Sequence, residues 1–199
     1  VIEEQKSQPH QRHRGLLIRL KQLMADRRGV GAVEFALIAP LLLSLYITSF
    51  EITIGLSVSK RVTHSASTIA DLVTRETSVD KTMLTTMKAV TASLFAPYTP
   101  DTPPSIKVTG VTLDATGNPT VAWSWDQDNG RPYAIGSTVQ VPADMHIANS
   151  FLVRAEVSVH HELLMFMPGL LPNSVRDLTI SREYFYRQRL GDSVNCTNC

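Results

Sequence analysis

Polar and apolar positions divide this chain unevenly. Between Glu34 and Glu51 lie 16 residues, Phe35 to Phe50, that carry no charge, and of these only Pro40, Ser44, Thr48 and Ser49 are not strongly apolar. As a helix the run is about 24 Å long at 1.5 Å per residue, which falls short of a hydrocarbon core of about 30 Å. Val30 to Val33 on one side and Ile52 to Gly55 on the other bring it to a spanning length, provided that Glu34 and Glu51 are accommodated. The pattern then changes. Ile54, Val58, Val62, Ile69 and Val73, with small Ala66 between them, recur at steps of three and four, which predicts that the same helix continues in amphipathic form to about Arg75. Ser78 or Asp80 caps a second helix with Met83, Leu84, Met87, Ala89, Val90 and Leu94 facing inward, ending near Pro97.

After the stiff linker Pro97 to Pro104 the period falls from helical to two. Ile106, Val108, Val111 and Leu113 predict a strand with a bulge at Gly110, and Asp114 to Pro119 (DATGNP) predicts a turn. Val121, Trp123 and Trp125 alternate, which predicts a returning strand with all three on one packed face. A short strand is expected at Thr138 to Val141 and a turn of helix at Pro142 to Ile147. Phe151 to His160 alternates most clearly, with Phe151, Val153, Ala155, Val157 and Val159 on one face. An apolar loop, Leu163 to Pro172, is too short to span a membrane. It precedes a last strand, Leu178 to Tyr186. The fold class is therefore α+β: a long amino-terminal helix, a second helix, then a small antiparallel sheet.

Charge gives the pattern a direction. The net charge of +1 conceals seven basic against three acidic residues in 1–29, or +4, and twelve against fifteen in the remainder, or −3. Basic residues beside a membrane helix stay cytoplasmic, so the long portion after Gly55 is expected across the membrane, in a bacterial periplasm or outside the cell. Nucleic acid is not the expected partner of the basic end, which is a short tail without interleaved aromatics. A removed secretory signal is also disfavoured. No A-x-A-like site follows the apolar core, which runs on through Tyr46, Ile47 and Phe50 into an amphipathic helix.

Motifs for catalysis are sparse. His160, His161 and Glu162 suggest a metal cluster, but His161 to Met165 reads HExxM and lacks the second histidine of a zinc protease, so they read as polar residues at a strand end. Asp126 to Gly130 begins like a calcium loop without the closing acidic residue and reads as a loop tip. No cofactor and no catalytic residue is expected. Cys196 and Cys199 form a CxxC. In a thioredoxin-type enzyme such a pair opens a helix that lowers the first thiol's pKa, and the sequence offers no such helix here. In an oxidising compartment the pair is expected as a disulfide, either a small ring or a tie to another chain, with metal or redox use as the alternative.

The run Arg28, Gly29, Val30, Gly31, Ala32, Val33, Glu34, Phe35 resembles the processing site of type IV pilin-like proteins, and RRGVGAVEFALIAPLLL in particular resembles the TadE-like minor pilins of tight-adherence (Tad, Flp) pilus systems. The resemblance implies cleavage by a prepilin peptidase between Gly29 and Val30. Val30 then becomes position +1, Glu34 +5 and Phe35 +6. It also implies the major pilin, other minor pilins and the Tad secretion machinery as partners, besides membrane lipid. Phe151 to Arg187 resembles the distal part of such proteins more loosely. On this reading residues 1–29 are a basic cytoplasmic leader, 30–55 a transmembrane helix in the inner membrane, 56–97 a periplasmic helical region and 98–199 a periplasmic β-rich domain. An uncleaved, signal-anchored periplasmic binding or adhesion domain is the first alternative. A membrane-tethered thiol oxidoreductase using Cys196 and Cys199 is the second.

Overall fold

The long apolar run and the amphipathic stretch after it form one helix, α1 (Val30–Thr74), of 45 residues. It passes Pro40 without a break in its assignment. The computed structural model describes residues 29–100, 102–162 and 177–199; the expected leader before Gly29 and the apolar loop Leu163 to Pro172 lie outside them. The chain divides into two compact units, Val1–Ser49 and Phe50–Cys199. In the first, α1 is apolar on every side and its large side chains are exposed, including Phe35, Leu37, Leu41, Leu42 and Leu45. A helix apolar all round is suited to lipid rather than to water. Its serine and threonine hydroxyls bond within the helix: Ser44 donates to the Leu41 carbonyl at 2.8 Å, Thr48 to Ser44 at 2.8 Å and Ser49 to Leu45 at 2.9 Å.

In the second unit α1 buries a single stripe, Val58, Val62, Ala66, Ile69, Ala70 and Val73. After the two-residue strand β1 (Ser78–Val79), Asp80 caps α2 (Lys81–Phe95), its carboxylate accepting from the Met83 N–H at 2.7 Å. The buried seam of α2 is Leu84, Met87, Thr91 and Phe95, whereas Ala89 is exposed. This departs from the expected seam because steps of three, four and four keep one line on a 3.6-residue helix, and Ala89 falls off that line. Arg61 of α1 closes the far end of α2. Its Nη1 donates to the carbonyls of Leu94, Phe95 and Ala96 at 3.4, 3.1 and 2.6 Å, supplying a cation where the last carbonyls lack helical partners.

The sheet is antiparallel, in the order β3-β2-β4-β5, from β2 (Ser105–Leu113), β3 (Pro119–Asp126), β4 (Phe151–Glu162) and β5 (Asp177–Arg187). One face joins the α1 and α2 stripes in a single core with Ile106, Val108, Trp123, Trp125, Val153, Ala155, Val157, Val159 and Ile180. The other carries a second core of Val111, Leu113, Val121, Val139, Leu152 and Phe185, partly covered by Tyr133, Val141 and Met145. The β2–β3 ladder shifts between Gly110 and Val111: Gly110 pairs with Trp123 but Val111 with Val121. The β2–β4 register runs through Gly110 unbroken. The extra residue thus lies in β3, at Ala122, and turns Val121 to the face opposite Trp123 and Trp125, correcting the expectation of one shared face. Thr138 to Val141 is not a strand either. Thr138 makes an isolated bridge to Thr120, and a three-residue 3₁₀ turn, Ala143–Met145, follows.

The segment after β5 returns to the start of α2. Strand β6 (Asn195–Cys196) pairs in parallel with β1. The buried Trp123 Nε1 donates to the Val194 carbonyl at 2.7 Å, Thr197 N–H to Val79 at 3.0 Å, and Lys81 N–H to the Asn198 side-chain oxygen at 2.8 Å.

Candidate processing and anchoring site

Helix α1 starts at Val30, so the Gly29–Val30 peptide bond lies at the boundary between the helix and whatever precedes it. Both sides of that bond are open. A side-chain carbon built on Gly29 meets nothing within 4 Å, and Val30 is 58% exposed. Glu34 is exposed and Phe35 is 71% exposed. Residues 30 and 34 are one helical turn apart, on one face and about 6 Å along the axis. A cut between Gly29 and Val30 would create an α-ammonium on Val30 within reach of the Glu34 carboxylate, or of a neighbouring chain's. Unpaired, each charge would cost about 2.5–3.5 kcal/mol at the middle of a membrane on insertion scales.

Glu51, the carboxylate at the far end of the apolar run, lies on a buried face. It is 4% exposed, and neither carboxylate oxygen has a hydrogen-bond partner. A surface carboxylate at the end of a span is cheap, whereas one buried without donors is costly. The signal that could have found it is its spacing, since Glu51 lies three and seven residues before Ile54 and Val58, on the stripe that α1 buries.

The Sγ atoms of Cys196 and Cys199 are at disulfide distance, with Cα atoms 5.6 Å apart, inside the usual range for a bridge. That distance suits the small ring of the two disulfide arrangements open in the sequence. The pair does not open a helix. Cys196 lies in β6, and Cys199 is buried with its carbonyl oxygen accepting from the Arg131 guanidinium.

His161 is no loose strand-end residue. It is 5% exposed, with Nδ1 3.0 Å from the Tyr98 hydroxyl and Nε2 without a partner. Among the described residues no group of three His, Cys, Asp or Glu side chains could hold a metal ion. A charge cluster lies elsewhere, on the second sheet face. Arg154 is held by Glu156 at 3.0 Å and Glu183 at 2.6 Å, with its guanidinium 5.5 Å from the Tyr133 ring centre and 5.8 Å from that of Phe185. The Tyr133 hydroxyl donates to both Glu156 oxygens at 2.8 and 3.0 Å. Burial, and then this hydrogen bond to a carboxylate, raise its pKa above the ordinary value of 10.0. Each polar group here already has a partner, so the cluster cements the sheet and presents no free group to a substrate.

Helix α1 is long and apolar enough to cross a membrane by length and composition, which fits a single-pass membrane protein. Residues 29–71 match the family model described as TadE-like protein, the resemblance that the motif around Gly29 suggested. The match spans the Gly29–Val30 junction and most of α1, and ends before the sheet. No curated protein and no solved structure matches the chain significantly.

Proposed function

We propose that the chain is a minor pilin of a Tad-type pilus, held in the bacterial inner membrane by α1 and processed by a prepilin peptidase between Gly29 and Val30. The observation that carries this reading is the exposed Gly29–Val30 junction at the first residue of an apolar helix, with Glu34 one turn on, inside the segment that matches the TadE-like family model. The basic residues before Gly29 orient the helix with that end in the cytoplasm. Residues 56–97 and 98–199 then lie in the periplasm, where the domain contacts the major pilin, other minor pilins or the Tad secretion machinery. The chain itself performs no catalysis. After the cut, Glu34 neutralises the Val30 ammonium of its own helix or a neighbour's, and so sets the axial register of packed helices.

Intact-mass analysis of protein from membranes that contain the peptidase tests the reading, with a mature chain starting at Val30 as the expected result. A chain that keeps residues 1–29 under those conditions would sink it in favour of the uncleaved, signal-anchored alternative. Gly29→Ala is expected to slow cleavage strongly. Since the added methyl meets nothing within 4 Å in this chain, slower cleavage would report fit to the peptidase rather than misfolding. Glu34→Ala is expected to leave cleavage largely intact and to reduce pilus assembly; normal pili from that variant would defeat the register role.

A further inference from the structure

A cleft of about 480 Å³ opens between α1, the loop after α2 and the end of β4. Ile54, Ser57, Val58 and Arg61 line it from α1, Tyr98 and Thr99 from the loop. His161 and Glu162 close the β4 side. Two features mark it as more than a surface irregularity. The Arg61 guanidinium is fixed in the lining because its Nη1 is held on three carbonyls; the N–H groups on Nε and Nη2 have no described partner, and a guanidinium has five such donors in all. His161 is nineteen-twentieths buried, yet its Nε2 has no hydrogen bond. That nitrogen is closed to solvent, so the His161 ring serves as a rigid wall and the guanidinium is the polar group that the cleft presents.

We propose that this cleft holds the phosphate of a membrane phospholipid headgroup. The inference rests on the membrane-anchor reading. On that reading the span ends near Gly55, and Arg61 follows six residues later on the same helix, about 9 Å of rise, which is headgroup depth rather than hydrocarbon depth. A phosphodiester suits the fixed guanidinium, which pairs well with tetrahedral and planar oxyanions. Ile54, Val58 and the Tyr98 ring give the cleft an apolar side, which a glycerol backbone and the first methylenes of an acyl chain would cover and an inorganic anion would leave wet. Glu162 opposes a purely anionic occupant and accommodates a headgroup that also carries an ammonium.

The test uses the full chain reconstituted in vesicles of phosphatidylcholine and phosphatidylethanolamine. Flotation is read first, then the phospholipid retained on the protein by native mass spectrometry. Ser57→Trp fills the cleft from an exposed position and leaves Arg61 on its three carbonyls; it is expected to float as the wild type does and to lose most of the retained phospholipid. Equal retention by wild type and Ser57→Trp would overturn the proposal while leaving the anchor intact. Binding of inorganic phosphate alone, without retained phospholipid, would overturn the lipid assignment. Failure of the wild type to float would remove the anchor reading itself.

Discussion

Gly110 is required by close approach rather than by backbone conformation. A side-chain carbon there would sit 2.6 Å from Trp123 Cε2 and 2.7 Å from Phe151 Cζ, both in the main core. Gly110→Ala must therefore displace two aromatic rings, and overpacking of this kind costs about 1–3 kcal/mol. The expected result is a lower denaturation midpoint with unchanged slope; an unaffected midpoint would show that the rings move freely. Asp114 acts through polar contacts instead. Its carboxylate accepts from the Thr116 hydroxyl at 2.6 Å, and from the backbone N–H groups of Thr116 and Asn118 at 2.8 and 2.9 Å. These donors, led by the Thr116 side chain, hold its pKa well below the ordinary 3.8. A group whose pKa is depressed on folding contributes stability that is fully present above its unfolded pKa and is lost as pH falls toward the folded value. Asp114→Asn is accordingly expected to lower the melting temperature at neutral pH and to flatten its decline below about pH 4. A variant with the wild-type acid slope would assign that slope to other carboxylates. The bulge expected at Gly110 lies instead in β3, at Ala122, whereas the turn at Asp114 was legible in the sequence. The reason for Gly110 was not, because its neighbours come from β3 and β4, at separations of 13 and 41 residues.

Elements that depend on local pattern were readable, and those that depend on a distant partner were not. The 3.6-residue stripe of α1, the Asp80 cap and the alternation of β4 follow from side chains within a turn or two of each other. The bulge at Ala122 moved Val121 into the second core, and simple alternation had no means of showing it. The capping role of Arg61 was hidden, since the carbonyls that it caps lie 33 to 35 residues away. The return of residues 194–198 onto β1 and α2 was equally hidden, and it gives the cysteines a structural role. The ring holds Cys196 in β6 while Asn198 covers the first N–H of α2. The chain-entropy rule for so short a ring gives about 2 kcal/mol. For a domain of this size that corresponds to a fall of roughly 4–8 °C in melting temperature on Cys196→Ser or Cys199→Ser. Reduction of the wild type should produce the same shift, and no shift in either experiment would leave the pair without a stabilising role.

At the scale of the molecule, the division at Ser49 separates two kinds of surface. The described part of the first unit buries almost none of its apolar surface, whereas the second contains both cores, all six strands and α2. A domain of about 150 residues buries roughly 68–70% of the surface that its unfolded chain exposes, enough to fold alone. A fragment Phe50–Cys199 is therefore expected to be soluble without detergent and to unfold in one cooperative transition. It should do so within a few degrees of the same domain in the longer chain. A chain beginning at Gly29 should require detergent or lipid, because its exposed Phe35, Leu37, Leu41 and Leu45 form an apolar surface that water does not tolerate. Circular dichroism melts and size-exclusion chromatography of the two chains decide the matter. An unfolded Phe50 fragment would mean that the residues before it contribute to the fold as well as to anchoring. A longer chain that stays monomeric in plain buffer would remove the physical basis for a membrane anchor, and with it the reason for reading Glu34 as a charge that needs a partner.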